Sequence, residues 1–208
     1  MLGQGTQAAQ FEALLRSNLR GVCQLSAEQL ELLHSHYQLL TRWNQVLNLS
    51  SIRTLEAAVV RHYCESLFLA ANLPANAHSV ADVGSGGGFP GIPIAAVRPR
   101  CEVVLIESHQ RKAVFLKEAT RGYANVRVVA KRAEQVQERF EWLVSRAVAW
   151  EQVMVLTPGL ASNLALLVGA EDAFKILKTQ GMSWNATATL PWGQQRSLVI
   201  GQCVSRGT

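Results

Sequence analysis

Between Val80 and Pro93 the chain reads VADVGSGGGFPGIP, a short apolar run that breaks into a series of glycines. No other stretch constrains the fold as much. Glycine tolerates the φ angles of a tight turn, and without a Cβ it lets the backbone approach a ligand closely. A strand ending near Val83 puts Asp82 and Gly84 at its carboxyl end, the edge where open α/β sheets bind ligands.

The neighbouring sequence supplies the rest of such a sheet. HSVADVG (78–84), CEVVLIE (101–107), VRVVA (126–130), FEWLVSRA (140–147) and ALLVG (165–169) are short β-rich runs, and the first two are each followed by a helical pattern. That series predicts a doubly wound, mostly parallel α/β sheet with helices on both faces. The tail, MSWNATATLPWGQQRSLVIGQCV, predicts two strands joined at Pro191–Gly193, a closing hairpin with an antiparallel edge strand. Residues Ala8–Ala71 read instead as helical. Ser26 is the N-cap of a helix in which Leu30, Leu33, Tyr37, Leu40 and Trp43 recur at three- to four-residue spacing. Gly21 separates it from a helix near Phe11–Leu19, and another runs from about Leu55 to Ala71, ahead of Pro74. A chain of 208 residues can bury one sizeable core with extra helices, but not two independent domains.

The net charge of +5 is unevenly placed. Residues 1–78 hold five Arg and five acidic residues, whereas Arg98–Arg132 hold nine basic residues against three acidic. Such a stretch is either a solvated face or one that meets phosphate. Arg98, Arg100, Arg111, Lys112, Arg121, Arg127, Lys131 and Arg132 are the phosphate-facing candidates. The four cysteines are far apart, with no CxxC and no Cys/His cluster, so no metal is expected and the thiols read as reduced. No apolar run is long enough for a bilayer and the N-terminus lacks an export pattern, which predicts a cytoplasmic protein without membrane contact.

Two glycine registers compete. Gly86-x-Gly88-x-x-Gly91 matches the dinucleotide fingerprint of an NAD-dependent oxidoreductase. It begins three residues late, and Pro90 has no N–H where a pyrophosphate would need one. Asp82-x-Gly84-x-Gly86-x-Gly88 begins at the strand end and suits a ligand without pyrophosphate but with a cationic group, such as S-adenosylmethionine. Glu107, at the end of the next strand, can accept both ribose hydroxyls, which either ligand carries.

WNQVLNLSSI, RHYCESL, DVGSGGGFPGIPIA, VVLIESHQRKAVFLKE, KRAE and SRA occur in an order that resembles the glucose-inhibited division protein B family, bacterial small-subunit ribosomal RNA methyltransferases acting on N7 of a guanine. The resemblance runs from about Trp43 to Ala147. It implies a Rossmann-like class I methyltransferase domain over residues 79–208, with residues 1–78 as a helical extension packed on it. It also implies S-adenosylmethionine as cofactor, held by Asp82, Gly84, Gly86, Gly88, Phe89 and Glu107, with Ala133 and Glu134 at the adenine end. Arg146, in SRA, would lie beside cofactor and target base as the catalytic residue. Asn44, Asn48, Arg61 and His62 would pack near the site, with Arg61, Arg111, Lys112 and Arg196 toward RNA. The implied partner is small-subunit ribosomal RNA or the small ribosomal particle, met by a monomer.

Three positions depart from the family's pattern. Glu65 stands where Asp is usual, NLSS replaces NLT, and Val168 precedes Gly169 where the family tends to carry Lys-Gly. The missing lysine keeps open a second reading, a methyltransferase-like fold that binds RNA with little catalysis.

Overall fold

The computed structural model describes residues 2–192 and 195–204. Helix α1 (Leu2–Asn18) leads through Gly21, at φ +78°, to α2 (Ala27–Trp43). The start of α2 is fixed by the Ser-x-x-Gln sequence: the Gln29 amide donates to Ser26 Oγ and the Ser26 amide donates to Gln29 Oε1, a complete capping box. The expected helix over 55–71 forms as three joined pieces, α3 (Leu55–Ala58), a π-helical turn (Val59–Cys64) and α4 (Glu65–Asn72). The widened turn contains Arg61 and His62 and leads straight into Glu65. Such π segments recur at functional sites.

Among the described residues seven strands follow: β1 (Ser79–Val83), β2 (Glu102–Ile106), β3 (Val126–Val129), β4 (Phe140–Arg146), β5 (Ala161–Gly169), β6 (Met182–Thr189) and β7 (Arg196–Cys203). They lie in the order β3-β2-β1-β4-β5-β7-β6. The first five pair in parallel, and β7 is antiparallel to both β5 and β6. The expected closing hairpin is present, with β6 at the edge and β7 inside the sheet; Gly193, at its turn, lies outside the described residues. Strand β5 begins four residues before the expected ALLVG, because α7 (Trp150–Leu160) runs directly into it. Helices α5 (Gly91–Val97), α6 (Gln110–Ala119) and α8 (Ala170–Ile176) complete the crossovers.

Alternation along the strands divides the interior. Val80, Val103, Leu105, Val144, Leu167 and Leu198 point into one core, shared with Phe11, Leu15, Leu33 and Leu67 of the N-terminal helices. Ala81, Val104, Ile106, Leu143, Leu166 and Val199 point into the other, against α7 and α8. By the same alternation Asp82, Arg146 and Arg196 fall on the face covered by the N-terminal helices. Val168 packs against the second core, on the opposite face.

Candidate active site

The elbow after β1 is built from backbone hydrogen bonds. The amides of Gly84 and Ser85 both donate to the Ile106 carbonyl, at 2.9 and 3.2 Å, and the Gly88 amide donates to Ser85 O at 2.7 Å. Gly84, Gly86 and Gly88 all have positive φ, +72°, +54° and +90°. These are the glycines of the register that starts at the strand end. Gly91 does a different job. A Cβ there would lie 2.2 Å from Leu105 Cδ2, so it is glycine to let α5 close on β2. Its amide is taken by Asp82 Oδ2 at 2.9 Å and is not free for a phosphate.

Asp82 is fully buried, and its Oδ1 has no hydrogen-bond partner among the described residues. Burial, only partly offset by the Gly91 amide and by Ser85, pushes its carboxyl up to about 7. An orphaned carboxylate oxygen in this position fits a cationic or N–H-bearing group of a ligand. Glu107 closes the other side: Oε2 accepts from the Gly86 amide at 2.9 Å and Oε1 from the His109 amide at 2.7 Å. Each oxygen keeps a lone pair for a hydroxyl donor. Val148 lies over the elbow, its Cγ2 2.4 Å from where a Cβ on Gly84 would stand. The residues present therefore fit an S-adenosylmethionine nucleoside better than a dinucleotide.

Beside the elbow, a buried polar cluster joins the end of β4 to the π-helical turn. Glu65 is 1% exposed, and its Oε2 lies 2.9 Å from Arg196 Nη2 and 3.9 Å from Arg146 Nη1. Arg146 also donates to the Arg61 carbonyl and to His62 Nδ1, and its guanidinium lies 5.4 Å from the centre of the Phe89 ring. Burial lowers the Arg146 pKa to about 10, against the opposing pull of Glu65. His62 stacks on Phe89 with ring centres 4.5 Å apart. Burial and the adjacent Arg146 drive its pKa down to about 2, so His62 is neutral. Arginine can only donate, which makes His62 Nδ1 an acceptor and places the ring proton on Nε2. That proton goes to Ser50 Oγ, 2.7 Å away.

Most of the expected site residues converge at the carboxyl edge. The Phe89 ring is buried against His36, His62 and Tyr63, as a strut between the elbow and the N-terminal helices. Ala133 is buried beside Val83 and Ile106 in a short 3-10 turn after β3, and Glu134 next to it is exposed. Arg61 is exposed, and Arg111 and Lys112 open α6 just past β2. Arg196 is tied to Glu65, so its guanidinium enters the site as one half of an ion pair. Asn44 binds loop backbone at Leu49 and Ser50, and Asn48 is exposed.

The phosphate-facing set does not hold together as one surface. Arg111, Lys112, Lys131 and Arg132 follow strands and lie at the carboxyl edge with the elbow. Arg100 and Arg121 precede strands and lie at the opposite edge. Arg98 donates to the carbonyls of Ala70, Leu73 and Pro74, closing the end of α4, and Arg127 pairs with Glu102 and Glu138. Arg98 and Arg127 are thus structural, because their donors are already spent.

Two residues of the site went unread in the sequence. His36, 2% exposed on α2, donates from Nε2 to the Gly87 carbonyl at 3.0 Å and accepts from Tyr63 OH at Nδ1. Desolvation lowers its pKa to about 4. It occupies a core position of the helix, where the spacing asks only for an apolar side chain. Glu65 showed itself solely as a departure from Asp. Among the described residues no helix is long and apolar enough to cross a membrane, and no group of three His, Cys, Asp or Glu could hold a metal.

Similarity to known proteins agrees with this geometry. In solved structures the fold resembles the magnesium protoporphyrin IX methyltransferase of Synechocystis with bound SAM (TM-score 0.57, 14% identity, 88% of this chain and 99% of that one). It also resembles a putative RNA methyltransferase from Pyrococcus horikoshii (TM-score 0.56, 11% identity, 80% and 98%). These likenesses establish a Rossmann-like methyltransferase fold. Curated relatives named ribosomal RNA small subunit methyltransferase G include one from Dichelobacter nodosus, 45% identical over 62% of this chain and 65% of its own length. Another, from Nitrosomonas europaea, is 36% identical over 74% of each. The match spans just under two-thirds of the first relative and about three-quarters of the second. The family described as GidB, rRNA small subunit methyltransferase G, matches residues 29–168, two-thirds of the chain. With the elbow, the sheet order and these matches in agreement, the chain belongs to the rRNA small subunit methyltransferase G family.

Proposed function

We propose that this protein transfers a methyl group from S-adenosylmethionine to N7 of a guanine in small-subunit (16S) ribosomal RNA. It acts as a cytoplasmic monomer on that RNA or on the small ribosomal particle. The observation that carries the reading is the elbow register: three positive-φ glycines start at the strand end, between the buried Asp82 and Glu107. The cofactor supplies a methyl on a sulfonium that leaves as a neutral thioether, and the guanine N7 lone pair attacks it without prior deprotonation. The chain's own residues have only to bind and align, which supplies on the order of 7–11 kcal/mol in favourable cases.

In this reading Asp82 Oδ1 and Glu107 hold the nucleoside, assisted by Gly84, Gly86, Gly88 and the Ala133–Glu134 turn. Phe89 fixes the elbow against the extension formed by residues 1–78. Arg146, held rigid by Glu65, Arg61 O and His62, presents its remaining donors to cofactor or base. The reaction asks no proton transfer of His62, which is neutral with its Nδ1 engaged. Val168 packs away from the Arg146 cluster, so replacing the family's usual Lys there leaves that cluster intact. N7 of a paired guanine faces the deep groove of an RNA helix, so the target is an exposed or flipped nucleotide. The test is transfer of labelled methyl from the cofactor to 16S RNA and to small particles, with N7 mapped by strand cleavage. Label on neither substrate, or on another atom, overturns the reading.

A further inference from the structure

A second recess opens between α2, the loop after it and α3; Ser50 lines it, and His62, which hydrogen-bonds Ser50, does not. Its volume is about 200 Å³; Leu40, Ile52 and Ala58 are among its apolar lining, and Gln45, Ser50 and Arg53 are among its polar lining. The hydrogen bonds of Ser50 can be counted. Its Oγ accepts from the Ile52 amide at 3.0 Å and from His62 Nε2 at 2.7 Å, because Arg146 forces the ring proton onto that nitrogen. Both lone pairs are therefore spent, and the hydroxyl proton has no acceptor among the described residues. What Ser50 can still bind is an acceptor. Arg53 is exposed and forms no hydrogen bond or ion pair among the described residues, so a full positive charge stands at the same recess. Gln45, also exposed, adds an amide that can donate or accept.

The geometry points to this recess as a second nucleotide pocket, which seats one nucleotide of the RNA strand next to the target. Its phosphate meets Arg53 and the Ser50 hydroxyl, and its base lies against the apolar lining that Leu40, Ile52 and Ala58 provide. This rests on the proposed RNA substrate. The pocket is placed for it, because the loop containing Ser50 abuts the elbow: Leu40 Cδ1 and Leu49 O lie 3.2 and 3.5 Å from where a Cβ on Gly87 would stand. Ser50, His62 and Arg146 form a continuous chain of contacts from the pocket to the site. An RNA nucleotide fits better than a free anion, since apolar side chains lining the same recess as Arg53 and the Ser50 hydroxyl match a base joined to a phosphate. Volume for one base, and not for a duplex, selects a single-stranded segment.

The experiment is steady-state methyl transfer to 16S RNA by the full chain, with Arg53→Ala, Arg53→Lys and Ser50→Ala, and with Arg16→Ala as a control far from the pocket. Arg53→Ala raises KM for RNA about five- to tenfold with less than a twofold change in kcat, and reduces the salt slope of RNA binding by about one. Arg53→Lys recovers most of the KM, because a phosphate accepts either cation. Ser50→Ala, which also removes the acceptor of His62 Nε2, raises KM for RNA as well. If the parent protein methylates 16S RNA while Arg53→Ala and Ser50→Ala keep its KM and salt slope, the pocket is refuted and the activity stands. If the parent protein neither binds nor methylates 16S RNA, both readings fall.

Discussion

Arg196 Nη2 lies 2.9 Å from Glu65 Oε2, and the same carboxylate oxygen is 3.9 Å from Arg146. One buried anion thus orients two cations that come from β4 and β7, and it does so from a helix of the N-terminal extension. Removing the anion leaves the two guanidiniums facing each other in a partly desolvated place. Glu65→Gln is expected to lose about 2–4 kcal/mol, the lower end because both arginines keep some exposure. It should also lower methyl transfer, whereas Glu65→Asp, the residue more usual in the family, should be milder on both counts. Urea unfolding beside single-turnover transfer checks this; a Glu65→Gln protein as stable and active as the parent would refute the brace.

Arg146→Lys separates charge from geometry. Lysine keeps the cation but cannot reach the Arg61 carbonyl, His62 and Glu65 together, since it lacks the planar fork. Transfer should drop by at least tenfold with the fold retained, read by kcat and by circular dichroism. Parent-like kcat would reduce Arg146 to a simple counter-charge.

Asp82 gives a stability profile with a definite sign. Its carboxyl titrates near 7 in the native chain and near the ordinary 3.8 when unfolded, so between those values the native state holds the extra proton. Its contribution therefore falls as pH rises from 4 to 7. Asp82→Asn removes that slope and should gain on the order of 3 kcal/mol relative to the parent between pH 5 and pH 8. Urea midpoints at the two pH values measure it, and parallel profiles would contradict the burial argument.

Gly84→Ala meets two obstacles, a φ of +72° and Val148 Cγ2 at 2.4 Å from the new methyl. A loss of about 1–3 kcal/mol is expected. Adding Val148→Ala should restore the steric share and leave the backbone share, which a double-mutant cycle resolves. A single variant of full stability would mean that the loop after β4 does not rest on the elbow.

The division of basic residues between the two sheet edges predicts unequal effects on RNA. Arg111→Ala with Lys112→Ala should weaken RNA binding and flatten its salt slope by about two. Arg100→Ala with Arg121→Ala should change neither. Filter binding across a salt series decides, and equal losses from both pairs would place RNA over the whole face.

The sheet and the elbow were legible in the sequence because they rest on local rules: β-branched runs at regular spacing, glycine where φ must be positive, Ser26 with Gln29 at a helix start. The choice of register was legible too, since Pro90 lacks a donor. What stayed hidden was tertiary pairing. Glu65 meets Arg196 across 131 residues and His36 meets Gly87 across 51, and neither distance leaves a periodic trace. The contiguous basic stretch misled for the same reason: a sheet sends residues that follow a strand to one edge and those that precede it to the other, so neighbours in sequence face opposite ways. Ala161, Ser162 and Asn163 extend β5 with no β-branched side chain, and only pairing with β4 and β7 makes them a strand.

The amides of Gly86 and Gly91 are pinned by Glu107, just past β2, and by Asp82 of the adjacent β1. The turn between them is therefore stiff before any nucleoside arrives. Capture need not freeze a floppy segment; the conformational cost of shaping the cradle was met when the sheet formed. A change that loosens β2 against β1 would then be felt first as weaker cofactor retention, well ahead of any loss of the fold itself.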